Sequence, residues 1–107
     1  MVKEISGDAL KSWIDSGKNL TIIDARDLSD YKKGHIAEAV SLLNMDVEKR
    51  KDEIIKFVQP VVVYSNDENC PASGFVAEKI EKLGLKEVYN YNPSYKDWVK
   101  KGYPVVK

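Results

Sequence analysis

Blocks of apolar and polar residues alternate along the chain, and their periods predict its elements. Val61-Val62-Val63-Tyr64 is a continuous apolar run that follows Pro60 and breaks into the polar stretch Ser65-Asn66-Asp67-Glu68-Asn69. A β-branched run between turn formers predicts a strand buried on both faces. From Pro71 to Leu83 the period changes: Ala72, Phe75, Val76, Ile80 and Leu83 recur every three or four positions. That spacing predicts a helix with an apolar face, started by Pro71 and stopped by Gly84. Leu20 to Ile23 predicts a second buried strand ending at Asp24. Before it, Ser6 is placed to cap a helix carrying Leu10, Trp13 and Ile14 and stopping near Gly17.

The remaining segments are shorter. Val2 to Ile5 and Ala39 to Leu42 are expected as strands, and Asp30 to Lys33 as one turn of helix closed by Gly34. Asp46 is expected to open a helix that turns Val47, Ile54, Phe57 and Val58 to the core. Lys86 to Tyr89 is expected as the last strand and Ser94 to Lys100 as the last helix. Strands alternating with helices predict an α/β fold, a small parallel β-sheet with helices on both faces. There is no repeat or linker, and 107 residues suit a single domain spanning 1–107. Sheets of this kind bind ligands outside the carboxyl ends of their strands. Asp24 and Ser65 fall at such ends.

Composition narrows the possibilities. Seventeen basic residues balance seventeen acidic ones, so no net field recommends nucleic acid as a partner. No stretch approaches the roughly 20 apolar residues of a membrane helix, and the first residues lack a signal-peptide core. A cytoplasmic protein with no membrane contact is expected. One cysteine excludes an internal disulfide, and one histidine with one cysteine makes no thiol-imidazole zinc site. No metal and no organic cofactor is expected.

Candidate chemistry gathers at the end of the best strand. Cys70, the only thiol, closes the polar loop where a helix begins, and a helix entrance can bind an anion or activate a sulfur. The favoured reading is a small, mostly buried, inert residue at a helix entrance. Asp24 and Arg26 suit an ion pair at the sheet edge or a role in orienting the loop, the pair being favoured. His35, after Gly34, is expected to be a hydrogen-bonded turn residue. Trp13 and Trp98 are expected in the core.

Taken together, several segments resemble the rhodanese-homology domain. Asp24-Ala25-Arg26, then Asp30-Tyr31 and Gly34-His35-Ile36, look like that family's first motif. Val62-Val63-Tyr64, the loop, the helix through Leu83 and Gly84 resemble its active-site segment. Val88-Tyr89-Asn90, Trp98 and Gly102-Tyr103-Pro104-Val105 resemble its closing motif. The resemblance runs through the whole chain in the right order.

The family resemblance implies a cysteine after the strand's tyrosine, one that carries sulfane sulfur as a persulfide within a cradle of backbone N–H groups. Here that position is Ser65, which cannot form a persulfide and is no nucleophile without an adjacent base. The loop Asn66, Asp67, Glu68 and Asn69 would line the anion site, with Asp24, Arg26 and His35 in support. Asp67 and Glu68 should weaken an anionic sulfur donor unless they point to solvent. Pro93-Ser94 replaces the paired glycines usual before the last helix. The resemblance to the related phosphatases fails, since the loop has neither cysteine nor arginine at the required places. Some small relatives carry a second cysteine five positions on, followed by Pro-Ala-Ser, as in Cys70-Pro71-Ala72-Ser73. Two readings lead, with a purely structural or interaction domain whose loop is closed as a weaker third. In the first, ordinary sulfurtransferase activity is lost and the domain binds or regulates. In the second, Cys70 has become the sulfur acceptor. A small sulfur-containing anion or a thiol-bearing protein is the partner either reading implies.

Overall fold

A computed structural model describes all 107 residues. The elements in chain order are β1 (Lys3–Glu4), α1 (Gly7–Asp15), β2 (Thr21–Asp24), α2 (Leu28–Lys33), β3 (His35–Ile36) and β4 (Val40–Ser41). A 3-10 turn at Asn44–Asp46 and α3 (Lys51–Ile54) lead to β5 (Val61–Tyr64), α4 (Ala72–Lys82), β6 (Val88–Asn90), α5 (Ser94–Lys100) and β7 (Val105–Val106). Five strands form one parallel sheet in the order β1-β6-β5-β2-β4, and β3 pairs antiparallel with β7 outside it.

β5 lies at the centre of the sheet, and its alternation divides the interior. Val61 and Val63 point into one core with Ile54, Val76, Ala77 and Ile80, the side covered by α3 and α4. Val62 and Tyr64 point into the other with Leu10 and Trp98, the side covered by α1 and α5. A strand buried on both faces needs apolar side chains at every position, which is why the run is unbroken. Ser6 caps α1 as expected, its hydroxyl accepting from Ala9 N–H at 3.1 Å. No helix is long and apolar enough to cross a membrane.

The structure corrects several expectations. The helix expected from Asp46 is broken into the 3-10 turn and the short α3, and Val58 is exposed while Val47 and Ile54 are buried. Phe75 is 53% exposed although it falls on the helical period. The face of α4 that meets the sheet is Ser73, Val76, Ala77 and Ile80, centred on small residues that let helix and sheet approach. Lys86 to Tyr89 is not the last strand, because β7 follows α5. His35 lies in a strand rather than a turn.

Candidate functional site

The carboxyl ends of β2, β5 and β6 lie side by side, with Asp24 opposite Tyr64 and Asn90 opposite Val63 in register. The loop 65–71 leaves β5 there and enters α4. Ser65, its first residue, is wholly buried. Its hydroxyl donates to the Cys70 carbonyl at 3.3 Å, and its Oγ is 3.4 Å from Ser73 Oγ. Both distances exceed the 2.7–2.8 Å typical of a hydroxyl hydrogen bond. The Ser65 hydroxyl is therefore only weakly bonded.

The start of the loop is clamped by α5. Ser65 N–H donates to Ser94 Oγ at 3.1 Å, and the Ser94 hydroxyl donates to the Tyr91 carbonyl at 2.9 Å. Tyr95 N–H donates to the Ser65 carbonyl and Lys96 N–H to the Asn66 carbonyl, at 3.0 and 2.9 Å. Ser94 makes this clamp from a left-handed conformation, φ 65°, which a side chain seldom adopts. The position that departs from the family's paired glycines thus bonds to the loop. Ser94→Ala strands the buried Ser65 N–H and should cost about 1–3 kcal/mol in urea unfolding. Ser94→Gly loses the same bond but is relieved of the strain, and should cost roughly 1 kcal/mol less. Equal losses would show that the left-handed backbone is not strained.

The rest of the loop leaves donors unused. The N–H groups of Asn66, Asp67 and Glu68 meet no protein acceptor, nor do those of Ala72, Ser73 and Gly74 in the first turn of α4. Helix N-termini favour anions because such N–H groups and the helix dipole point the same way. Asp67 bonds within the loop: its Oδ1 accepts from Asn69 N–H at 2.9 Å and its carbonyl from Cys70 N–H at 3.1 Å. Glu68 and Asn69 are exposed and Cys70 is half-buried. An open polar groove of about 210 Å³ lies beside the loop, and Lys96 and Lys100 of α5 line it together with Asp67, Glu68 and Asp97. The acidic loop residues therefore face cations as well, which reduces the electrostatic cost expected from the sequence.

Asp24 and Arg26 form the expected buried ion pair. Arg26 Nη2 lies 2.8 Å from Asp24 Oδ2 and Nε 3.1 Å from Oδ1, and Arg26 N–H donates to Oδ1 at 2.9 Å. Nη2 also donates to the Gly34 carbonyl at 2.6 Å, and the guanidinium stacks 4.0 Å from the centre of the Tyr95 ring. Burial alone would lower the Arg26 pKa, but Asp24 raises it above the ordinary arginine value. Tyr64 Oη donates to Asp24 Oδ2 at 2.6 Å and accepts from Ile36 N–H at 3.1 Å. Burial first and then the Asp24 charge push the Tyr64 hydroxyl far above its usual range, so it stays a donor. The pair reaches the loop through Tyr64, which directly precedes it, and through Tyr95.

His35 does not join the site. It is buried, stacks on Tyr31 with ring centres 3.7 Å apart, and its Nδ1 lies 2.8 Å from the Tyr31 carbonyl. Sequence reasoning passed over the hydroxyls of Ser73 and Ser94 and the carboxamide of Asn90. Ser94 reaches the loop from 29 residues away, Ser73 from the first turn of the adjoining α4, and Asn90 lies against Gly74 of that helix.

A model of the Rhodanese-like domain matches residues 6–101. The chain belongs to the rhodanese-like domain family. Among curated relatives, a Bacillus subtilis (strain 168) protein provisionally named sulfur carrier protein YrkF is 32% identical over 94% of this chain and 52% of its own length. The chain thus spans about half the length of that relative. The thiosulfate sulfurtransferase GlpE of Coxiella burnetii is 30% identical, covering 92% of this chain and 88% of that protein. The rhodanese-like domain of the Anabaena sp. Alr3790 protein superposes with a TM-score of 0.83 at 24% identity, over 99% of this chain and 80% of that one. At that identity the likeness speaks for the fold.

Proposed function

We propose that this rhodanese-like domain does not transfer sulfur through residue 65, and that its loop binds a small sulfur-containing anion or the thiol of a partner protein. The observation that carries this reading is the surroundings of Ser65. The side-chain and backbone atoms its polar groups meet are the Cys70 carbonyl, the Ser73 and Ser94 hydroxyls and the Tyr95 N–H, none of which is a base. A serine oxygen accepts no sulfane sulfur, whereas the free N–H groups of the loop and of α4 remain suited to an anion. The test is turnover of thiosulfate with cyanide by the purified protein. The expected rate is that of the uncatalysed reaction, and substantial turnover overturns the reading.

A second reading is favoured by Cys70, which is half-buried at the loop's end where Ser65 is sealed. It also draws support from the names of the two curated relatives. In it the Cys70 thiolate attacks the outer sulfur of thiosulfate, a new S–S bond forms, the old one breaks and sulfite leaves. Intact-mass measurement after thiosulfate separates the two. The binding reading expects no change. A gain of one sulfur that Cys70→Ala abolishes would install the carrier reading instead.

A further inference from the structure

The apolar period of the sequence assigns Ile14 and Val58 to the interior, yet both line an open groove of about 290 Å³. Leu20 and Ile22 line it with them, and it opens onto the core on the α1 side of the sheet. Leu20 directly precedes β2, and the Val58 carbonyl accepts from Thr21 Oγ1, at the first residue of that strand, at 2.7 Å. The groove therefore lies at the end of the sheet opposite the loop. Lys18 and Glu38 line it as well, and neither has an ion-pair partner. Lys18 Nζ rests 5.2 Å from the centre of the Trp13 ring, which steadies the side chain without neutralising it.

Glu38 carries a second mark. Ala39 N–H closes a turn on the Ile36 carbonyl at 3.0 Å, and Glu38 takes the third position of that turn with φ 67°. Glycine suits such a position, because any side chain there is crowded by the backbone. A charged side chain kept at a strained position beside a groove points to a ligand contact. We propose that the groove binds a free amino acid with an aliphatic side chain, its ammonium on Glu38, its carboxylate on Lys18 and its side chain against Ile14, Leu20 and Val58. A ligand with one charge would meet a like charge on the groove, and a ligand with none would leave both unused. Only a ligand with both charges and an apolar body satisfies all six residues. The site is separate from the loop and does not depend on the reading given above.

The experiment is a titration with leucine followed by amide NMR, beside glycine and N-acetyl-leucine amide, on the native chain, Glu38→Gly and Lys18→Gln. Leucine is expected to shift the amides of Leu20, Ala37 and Glu38 and to saturate within about 10 mM. Glycine, with no side chain to bury, should bind at least about tenfold more weakly. The amide, which carries neither charge, and the two variants should each lose at least about fivefold. Glu38→Gly is the decisive variant, since its melting temperature should hold or rise as the strain is relieved while leucine binding falls. Native-strength binding by Glu38→Gly would overturn the proposal. So would equal binding of the uncharged amide, or the absence of leucine shifts in the groove.

Discussion

Ser65→Cys is expected to raise thiosulfate:cyanide turnover by about three orders of magnitude or more, the scale on which removal of an enzyme's nucleophile lowers it. The native hydroxyl sits 3.3 and 3.4 Å from its neighbours, so replacing it breaks no strong hydrogen bond. The backbone at residue 65 is held on both sides, N–H by Ser94 and carbonyl by Tyr95, so the new side chain inherits a fixed direction. A thiolate there attacks the outer sulfur of thiosulfate, forming one S–S bond as another breaks and sulfite departs. Cyanide then takes the outer sulfur and restores the thiolate. Free loop and helix N–H groups stand ready to stabilise the charge on sulfur. Mass spectrometry should find one added sulfur on residue 65 before cyanide and none after. A Ser65→Cys protein that folds but takes up no sulfur would mean that the loop is closed to the donor, and would favour a purely structural domain.

What the sequence made legible follows from how locally each feature is encoded. β5 and α4 were readable because burial on two faces leaves an unbroken apolar run, and burial on one face of a helix leaves a period of three and four. β3 and β7 were not, since two residues each carry no period and Val105 and Val106 are themselves exposed. The exposure of Phe75 was hidden because the buried face of α4 includes the small residues Ser73 and Ala77, which an apolar period does not mark. At the site, the Asp24–Arg26 pair is two residues apart and was legible. The role of Ser94 depends on a contact with residue 65, 29 positions away, and no local pattern announces it.

Asp24→Ala is expected to cost about 3–5 kcal/mol, the usual consequence of leaving a buried charge alone. Asp24 is 0% and Arg26 5% exposed, so water cannot replace the lost partner. Domains of this size are held by only about 5–15 kcal/mol, and urea unfolding should show a midpoint shifted by a large part of its native value. Three groups lose their acceptor at once: the Arg26 guanidinium, the Arg26 N–H and the Tyr64 hydroxyl. Tyr64→Phe removes one of these and keeps the ion pair, so it should cost about 1–3 kcal/mol. Replacing the pair together, Asp24→Leu with Arg26→Met, should cost less than Asp24→Ala alone, because no charge is then stranded. A double variant as unstable as the single one would locate the loss in packing against Tyr95 rather than in charge. That distinction matters for function. Arg26 stacks on Tyr95, whose N–H holds the Ser65 carbonyl, and Asp24 accepts from Tyr64, the residue before the loop, so the pair bears on the start of the loop from both sides.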